Sequence, residues 1–255
     1  MTGANDAAIE TGARAALTST LQGRDRRHAL PEWRHVLAVV AHPDDESFGL
    51  GAVLDAFIRD GATVDVLCFT QGEASTLGEA PDLATTRAHE LAAAARVLGA
   101  RSALLRAHPD GMLADVDPTV LDDDVVAVAR AAGADGLLVF DETGITGHPD
   151  HVAATRSAIR AAEQLGMPVL GWTLDADVAE RLRAETGAPF VGRAPDEIHV
   201  QIGVQRERQR AAIACHASQA VPTSVLWRRL ELQGDAESLR RLDGTHRSRP
   251  TDHPR

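Results

Sequence analysis

The chain has no tyrosine, and its aromatic residues make up only 3% of 255 positions. Basic residues are also in deficit: 26 Lys and Arg stand against 37 Asp and Glu, for a formal charge of −11. The resulting long-range field repels phosphate backbones and anionic membrane surfaces, which argues against a nucleic-acid partner. Only two cysteines occur, Cys68 in an apolar run and Cys215 in a helical run. They are too few for a disulfide framework or a cysteine-rich zinc site and read as small core residues. No stretch approaches the ~18 to 20 apolar residues that a bilayer-crossing helix needs. The opening "MTGANDAAIETGARAAL" lacks the basic and then apolar blocks of a secretion signal. These absences together lead us to expect a soluble, cytoplasmic protein; oligomeric state is not legible.

Short apolar runs, in contrast, recur at regular intervals. They occupy 35–41, 63–69, 102–106, 136–140, 168–172 and 197–204, with helical patterns at 47–60, 81–99, 118–132, 149–166, 175–187 and 205–218. Alternation of this kind predicts an α/β, Rossmann-like three-layer fold, a mostly parallel sheet flanked by helices on both faces. The clearest helix is 81–99, with Pro81 at its start and Gly99 at the capping position. Residues 1–30 and 233–255 are polar and charged and read as flexible tails around one domain at 31–232.

The tripeptide His-Pro-Asp occurs three times, at 42–44, 108–110 and 148–150. The first copy follows the strand "VLAVVA", at the carboxyl end where open α/β sheets bind ligands. Pro43 sits where proline opens a helix, and His42 and Asp45, three apart, point to one side as two ligands of one ion would. Taken alone, the acids fit helix capping equally well. The copy at 148 shifts the reading, because "GHPDH" also lies past a strand end at a proline-opened helix. His42, Asp45 and His151 then form a set of two imidazoles and one carboxylate with an open fourth position, the pattern of a catalytic zinc site. The copy at 108 is followed by glycine and reads as a turn with an exposed His108. Arg87 and Glu90 lie three apart on one helix face, where they would pair. His216 and Gln219, in "CHASQ", read as a rim or a solvated face.

The motifs "AHPDDE" after the first strand and "GHPDH" after a later one resemble the PIG-L/LmbE-like family of zinc-dependent N-acetylglucosaminyl deacetylases. The resemblance covers roughly residues 35–220, with echoes in "FTQGE", "RAHEL", "DGM" and "CHASQ". It implies a hydrolase that removes the N-acetyl group from an N-acetylglucosamine-type sugar or glycoside. On it, His42, Asp45 and His151 bind the metal, Asp44 is the general base, and His148 stabilises or protonates the reacting centre. Glu73, Arg87 and Asp110 face the sugar. Some relatives carry a tyrosine near the site; this chain has none to offer. Glu46 reads as a support for the ligands or for the helix dipole. Zinc is the expected metal, although two histidines and an aspartate also accept Fe2+, Co2+ or Mn2+.

Two rival readings are a catalytically silent metal- or sugar-binding protein of the same fold and a Rossmann-type nucleotide-binding protein. Against the second, "GLGAVL" has Leu54 where a dinucleotide motif needs its third glycine, and the acids at the turn repel pyrophosphate. No Gly-x-Ser-x-Gly elbow follows a strand either, which leaves a serine hydrolase without support.

Overall fold

A computed structural model describes residues 29–77 and 82–242. In chain order its elements are β1 (His35–Val40), α1 (Asp45–Phe48), α2 (Gly51–Arg59), β2 (Thr63–Thr70), α3 (Leu83–Leu98), β3 (Ser102–His108) and α4 (Pro118–Ala132). Next come β4 (Gly136–Phe140), α5 (Gly144–Gly147), α6 (Pro149–Leu165), β5 (Val169–Asp175) and α7 (Ala176–Thr186). The remainder is β6 (Gly192–Arg193), β7 (Val200–Gly203), α8 (Glu207–Ile213), α9 (Val225–Gln233) and β8 (Ala236–Arg241).

The strands form one sheet in the order β3-β2-β1-β4-β5-β8-β7, with the two-residue β6 beside β5. From β3 to β5 every pairing is parallel, whereas β8 runs antiparallel to both β5 and β7. Burial on both faces explains why β1 is a continuous apolar run. Val36, Ala38 and Val40 pack on one face with Leu54 and Phe57 of α2 and Leu91 of α3. Leu37, Val39 and Ala41 pack on the other with Val125 of α4 and Ala158 of α6. The expected three-layer α/β architecture is therefore present.

Three expectations need correction. The helix expected at 47–60 is broken into α1 and α2 around Gly49, where a Cβ would lie 2.4 Å from the Phe140 ring. Pro43 lies in the turn before α1 and does not open the helix, whereas Pro149 does begin α6. The boundary expected at 232 is also wrong, since β8 lies inside the sheet, in the segment read as a tail. Its buried Glu237 and Ser238 accept from Trp172 Nε1 (2.6 Å) and donate to Asp175 (2.8 Å), respectively, so polar partners replace the apolar signal of a strand. Gly99 caps α3 in the left-handed conformation as expected, with Asp82 as the N-cap; Pro81 and residues 1–28 and 243–255 lie outside the described residues. Among the described residues no helix is long and apolar enough to cross a membrane.

Candidate active site

Strands β1 and β4 are adjacent, so the turns beyond their carboxyl ends meet where the strand order reverses, the place where open α/β sheets bind ligands. After β1 the chain folds back on Asp45, whose Oδ2 accepts the backbone N–H groups of Ala41 (3.2 Å) and His42 (2.9 Å). Its other oxygen lies 3.2 Å from His151 Nε2. His42 Nδ1 lies 3.2 Å from the same His151 nitrogen and 3.6 Å from Asp45 Oδ2. The three expected ligands thus offer atoms all within 4.8 Å of one another.

Hydrogen-bond partners assign the tautomers of both rings. His151 Nδ1 faces the Gly144 carbonyl at 3.2 Å, which only accepts, so this nitrogen carries the proton and Nε2 is bare in the neutral ring. His42 Nε2 faces Asp110 at 3.1 Å and Asp150 at 3.2 Å, which leaves Nδ1 bare as well. Two lone pairs and a carboxylate oxygen converging on one point make a donor set that a divalent cation satisfies. The field around it favours positive charge. Burial opposes a charged His42, yet its bonds to Asp110, Asp150 and Asp45 push it up to about 12. Burial opposes a charged His151 too, and Asp45 outweighs it.

A second grouping of His42, His148 and Asp150 also lies close together. Asp150, however, is fully buried and already accepts from the backbone of Leu113 (3.0 Å) and Gly111 (2.7 Å). His148 Nδ1 accepts the Asp150 N–H at 3.3 Å, capping α6. That bond leaves Nε2 as the N–H donor of a ring that lines the cavity. Burial and the neighbouring His151 and His42 hold His148 below the usual imidazole range, so its neutral form is favoured.

Asp44 adopts φ 137°, ψ −26°, a conformation that L side chains rarely take. Such backbone costs on the order of 1–3 kcal/mol and persists only when its surroundings enforce it. Here the Asp44 N–H donates to Glu46 Oε2 (3.0 Å), and the Arg87 guanidinium donates to both Asp44 Oδ2 (2.9 Å) and the Pro43 carbonyl (2.6 Å). Arg87 also reaches the Gly72 carbonyl (2.7 Å), and a Cβ on Gly72 would collide with the guanidinium at 2.1 Å. Burial pushes the Asp44 carboxyl up, Arg87 pulls it down and Asp45 pushes it up again; the balance stands at about 6.

The remaining expected residues are placed as follows. Asp110 lines the cavity, bonded to His42 and to the Ala74 N–H (2.8 Å), and these bonds outweigh burial to hold it down at about 2. Arg87 lines the cavity but is committed to Asp44 and two carbonyls, not to Glu90, which instead accepts from Ser218. Glu73 is exposed, does not line the cavity, and accepts the Asp110 N–H at 3.0 Å. His108 is not an exposed loop residue; it ends β3 and pairs with Asp124 at 2.8 Å.

Two contributors, Asp150 and His216, went unread in the sequence, and Glu46, read there as a support, works through partners that the sequence did not name. Asp150 orients His42. Glu46, fully buried, bonds His216 Nε2 at 2.7 Å while it holds the Asp44 N–H, so His216 is neither a rim nor a solvated residue. Their only sequence signal is that each stands inside a motif, "HPDH", "HPDDE" or "CHASQ".

Residues 37–162 match the family model PIG-L, described as GlcNAc-PI de-N-acetylase. A 1D-myo-inositol 2-acetamido-2-deoxy-alpha-D-glucopyranoside deacetylase from Rhodococcus opacus (strain B4) is 32% identical over 201 residues, 64% of this chain and 68% of that protein. The protein of the same name from Streptomyces griseus subsp. griseus is 32% identical over 187 residues, 60% of this chain and 58% of its own length. The chain therefore spans less than two thirds of that second relative. Among solved structures, an A40926 pseudoaglycone deacetylase matches with a TM-score of 0.64 at 22% identity, covering 81% of this chain and 96% of that one, a likeness of fold. The motifs, the site they build and these matches agree, and the chain belongs to the PIG-L family.

Proposed function

We propose that this chain is a divalent-metal-dependent hydrolase that removes the N-acetyl group from an N-acetylglucosamine-type amino sugar or glycoside. His42, Asp45 and His151 hold the metal; zinc suits the set, and Fe2+, Co2+ and Mn2+ also fit it. The observation that carries the reading is the convergence of His42 Nδ1 and His151 Nε2, 3.2 Å apart, beside Asp45, next to Asp44, a carboxylate on strained backbone that is not part of the set. When bound, the metal supplies Lewis-acid polarisation of the amide carbonyl and acidifies water.

The chain's own residues account for the proton traffic. Asp44, at about 6, is ionised at pH 7 yet basic enough to take a proton, as a general base should be. Arg87 fixes its aim through Oδ2 and leaves the other oxygen for water. The neutral His148 ring presents Nε2–H to the oxygen that gains charge as the carbonyl carbon becomes tetrahedral, a contact worth ~10²–10³-fold in rate. Asp44 then returns its proton to the departing amine. The two relatives, both named deacetylases of an acetamidodeoxyglucopyranoside, support the same chemistry.

The test is acetate release from a panel of N-acetylglucosaminides by protein loaded in turn with Zn2+, Co2+, Mn2+ and Fe2+. We expect metal-dependent release that His151→Ala reduces to background. Release that survives complete chelation, or none with any loaded metal, contradicts the proposal.

A further inference from the structure

The cavity over the site, of about 490 Å3, has two unlike ends. One holds the imidazoles and acids described above. The other is walled by Ile145, Phe190, Trp172 and Leu226, with Arg229 among them. The two ends are joined by a run of ring contacts: His151 to Phe140 at 4.9 Å, Phe140 to Trp172 at 5.2 Å, and Trp172 to the Arg229 guanidinium at 4.9 Å.

Arg229 is the unusual member. Three arginines are buried among the described residues, and two of them are paired, Arg87 with Asp44 and Arg206 with Glu237. Arg229, 5% exposed, has no carboxylate of the described residues within ion-pair distance. It donates to Gln233 Oε1 (2.6 Å) and to the Phe48 carbonyl, which leaves three of the five guanidinium N–H groups without a described partner. Glu237 attracts it from further off, but that carboxylate is already taken by Arg206, Trp172 Nε1 (2.6 Å) and Gln233 Nε2 (3.0 Å). Two guanidiniums therefore share one acid, and the network is left one positive charge in excess.

Burial lowers Arg229 to about 10, which still leaves it charged at pH 7. A buried cation without its own anion is costly unless a ligand completes it. A guanidinium laid on an aromatic ring, with free N–H groups at a cavity wall, suits a planar or tetrahedral oxyanion. The chain's net charge of −11 repels anions in general, so an acidic substrate would need a cation placed in this way.

We propose that this end of the cavity is a subsite for an acidic group, a carboxylate or a phosphate, carried on an apolar aglycone of the N-acetylated sugar, and that Arg229 receives it. The inference rests on the deacetylase reading above. The sugar's acetamido group would lie at the His42, Asp45 and His151 end, with the aglycone along Phe140 and Trp172.

Three N-acetylglucosaminides sharing a phenyl aglycone, one neutral, one bearing a carboxylate and one a phosphate, test this by calorimetric binding and acetate release on metal-loaded protein. We expect at least one acidic glycoside to bind about 10- to 100-fold more tightly than the neutral one. Arg229→Gln should bring that ratio close to one, and Arg229→Lys should keep part of it. A preference for one acid alone identifies the group. No preference in the parent protein, or a preference that Arg229→Gln leaves intact, overturns the subsite. If the acidic glycosides bind with preference but no glycoside releases acetate, the subsite stands and the deacetylase reading falls. Release with no difference in binding overturns the subsite and leaves the deacetylase reading standing.

Discussion

Two of the three His-Pro-Asp copies lie at the ends of adjacent strands, and their aspartates are used in opposite ways. In the first, the helix begins two residues after the proline, and Asp44 is caught in the intervening turn at φ 137°. In the second, the helix begins at the proline, and Asp150 falls in its first turn beneath His42. The titration of the two side chains follows. Burial raises Asp44 to about 6. Burial acts on Asp150 in the same sense, but bonds from His42, Gly111 and Leu113 hold it below the usual range. The backbone path around the tripeptide therefore decides whether its acid faces the cavity, where the proposed reaction needs a base, or lies behind His42.

The sharpest way to break this contrast is to neutralise each acid in turn. Asp44→Asn should keep the metal and lower kcat by about 10²- to 10⁴-fold, the range for removing a general base. Asp150→Asn should instead weaken metal affinity by about 10- to 100-fold, as loss of a ligand-orienting partner does, and recover much of its turnover when metal is supplied in excess. Metal titration alongside acetate release separates the two, and an exchange of phenotypes would mean that the roles are reversed.

A smaller effect is expected from the support beneath Asp44. Glu46→Gln should lower kcat by about tenfold through misplacement of the base, with KM and metal content unchanged. A change in metal content alone would place Glu46 among the ligands.

The smallest effect on turnover should come from Asp141, which follows β4 as the first motif follows β1 but is clamped by Arg193 (2.7 Å) and Arg240 (3.0 Å). Burial opposes its ionisation, yet Arg193, Thr143 and Arg240 hold its folded-state pKa below the ordinary value. A depressed carboxyl contributes stability above its unfolded pKa of about 3.9 and loses it as pH falls through the folded value. The parent's advantage over Asp141→Asn in denaturant unfolding should be about 3 kcal/mol at pH 7 and should shrink below about pH 4. An advantage that is the same at pH 7 and pH 3 would mean that the charge of Asp141 does not hold the clamp together.

The parallel half of the fold was legible because strands covered on both faces must be largely apolar on both, and β1, β2, β4 and β5 announce themselves that way. β8 was hidden for the converse reason: its buried Glu237 and Ser238 are satisfied by Trp172 and Asp175, partners 65 and 63 residues away. Within the site, residues fixed by position at a strand end were readable, as His42, Asp45 and His151 were. Side-chain direction was not, and so Glu73 was expected at the sugar when it holds the Asp110 backbone instead. The same limit hid the bonds of His42 to Asp150 and of Glu46 to His216, which span 108 and 170 residues and leave no periodic trace.

The division of labour between neighbouring acids is the central claim, and metal content of Asp45→Asn beside Asp44→Asn, after identical loading and desalting, measures it directly. Asp45→Asn should lose the metal while Asp44→Asn retains the parent's stoichiometry without its turnover; retention by Asp45→Asn together with loss by Asp44→Asn would contradict the assignment.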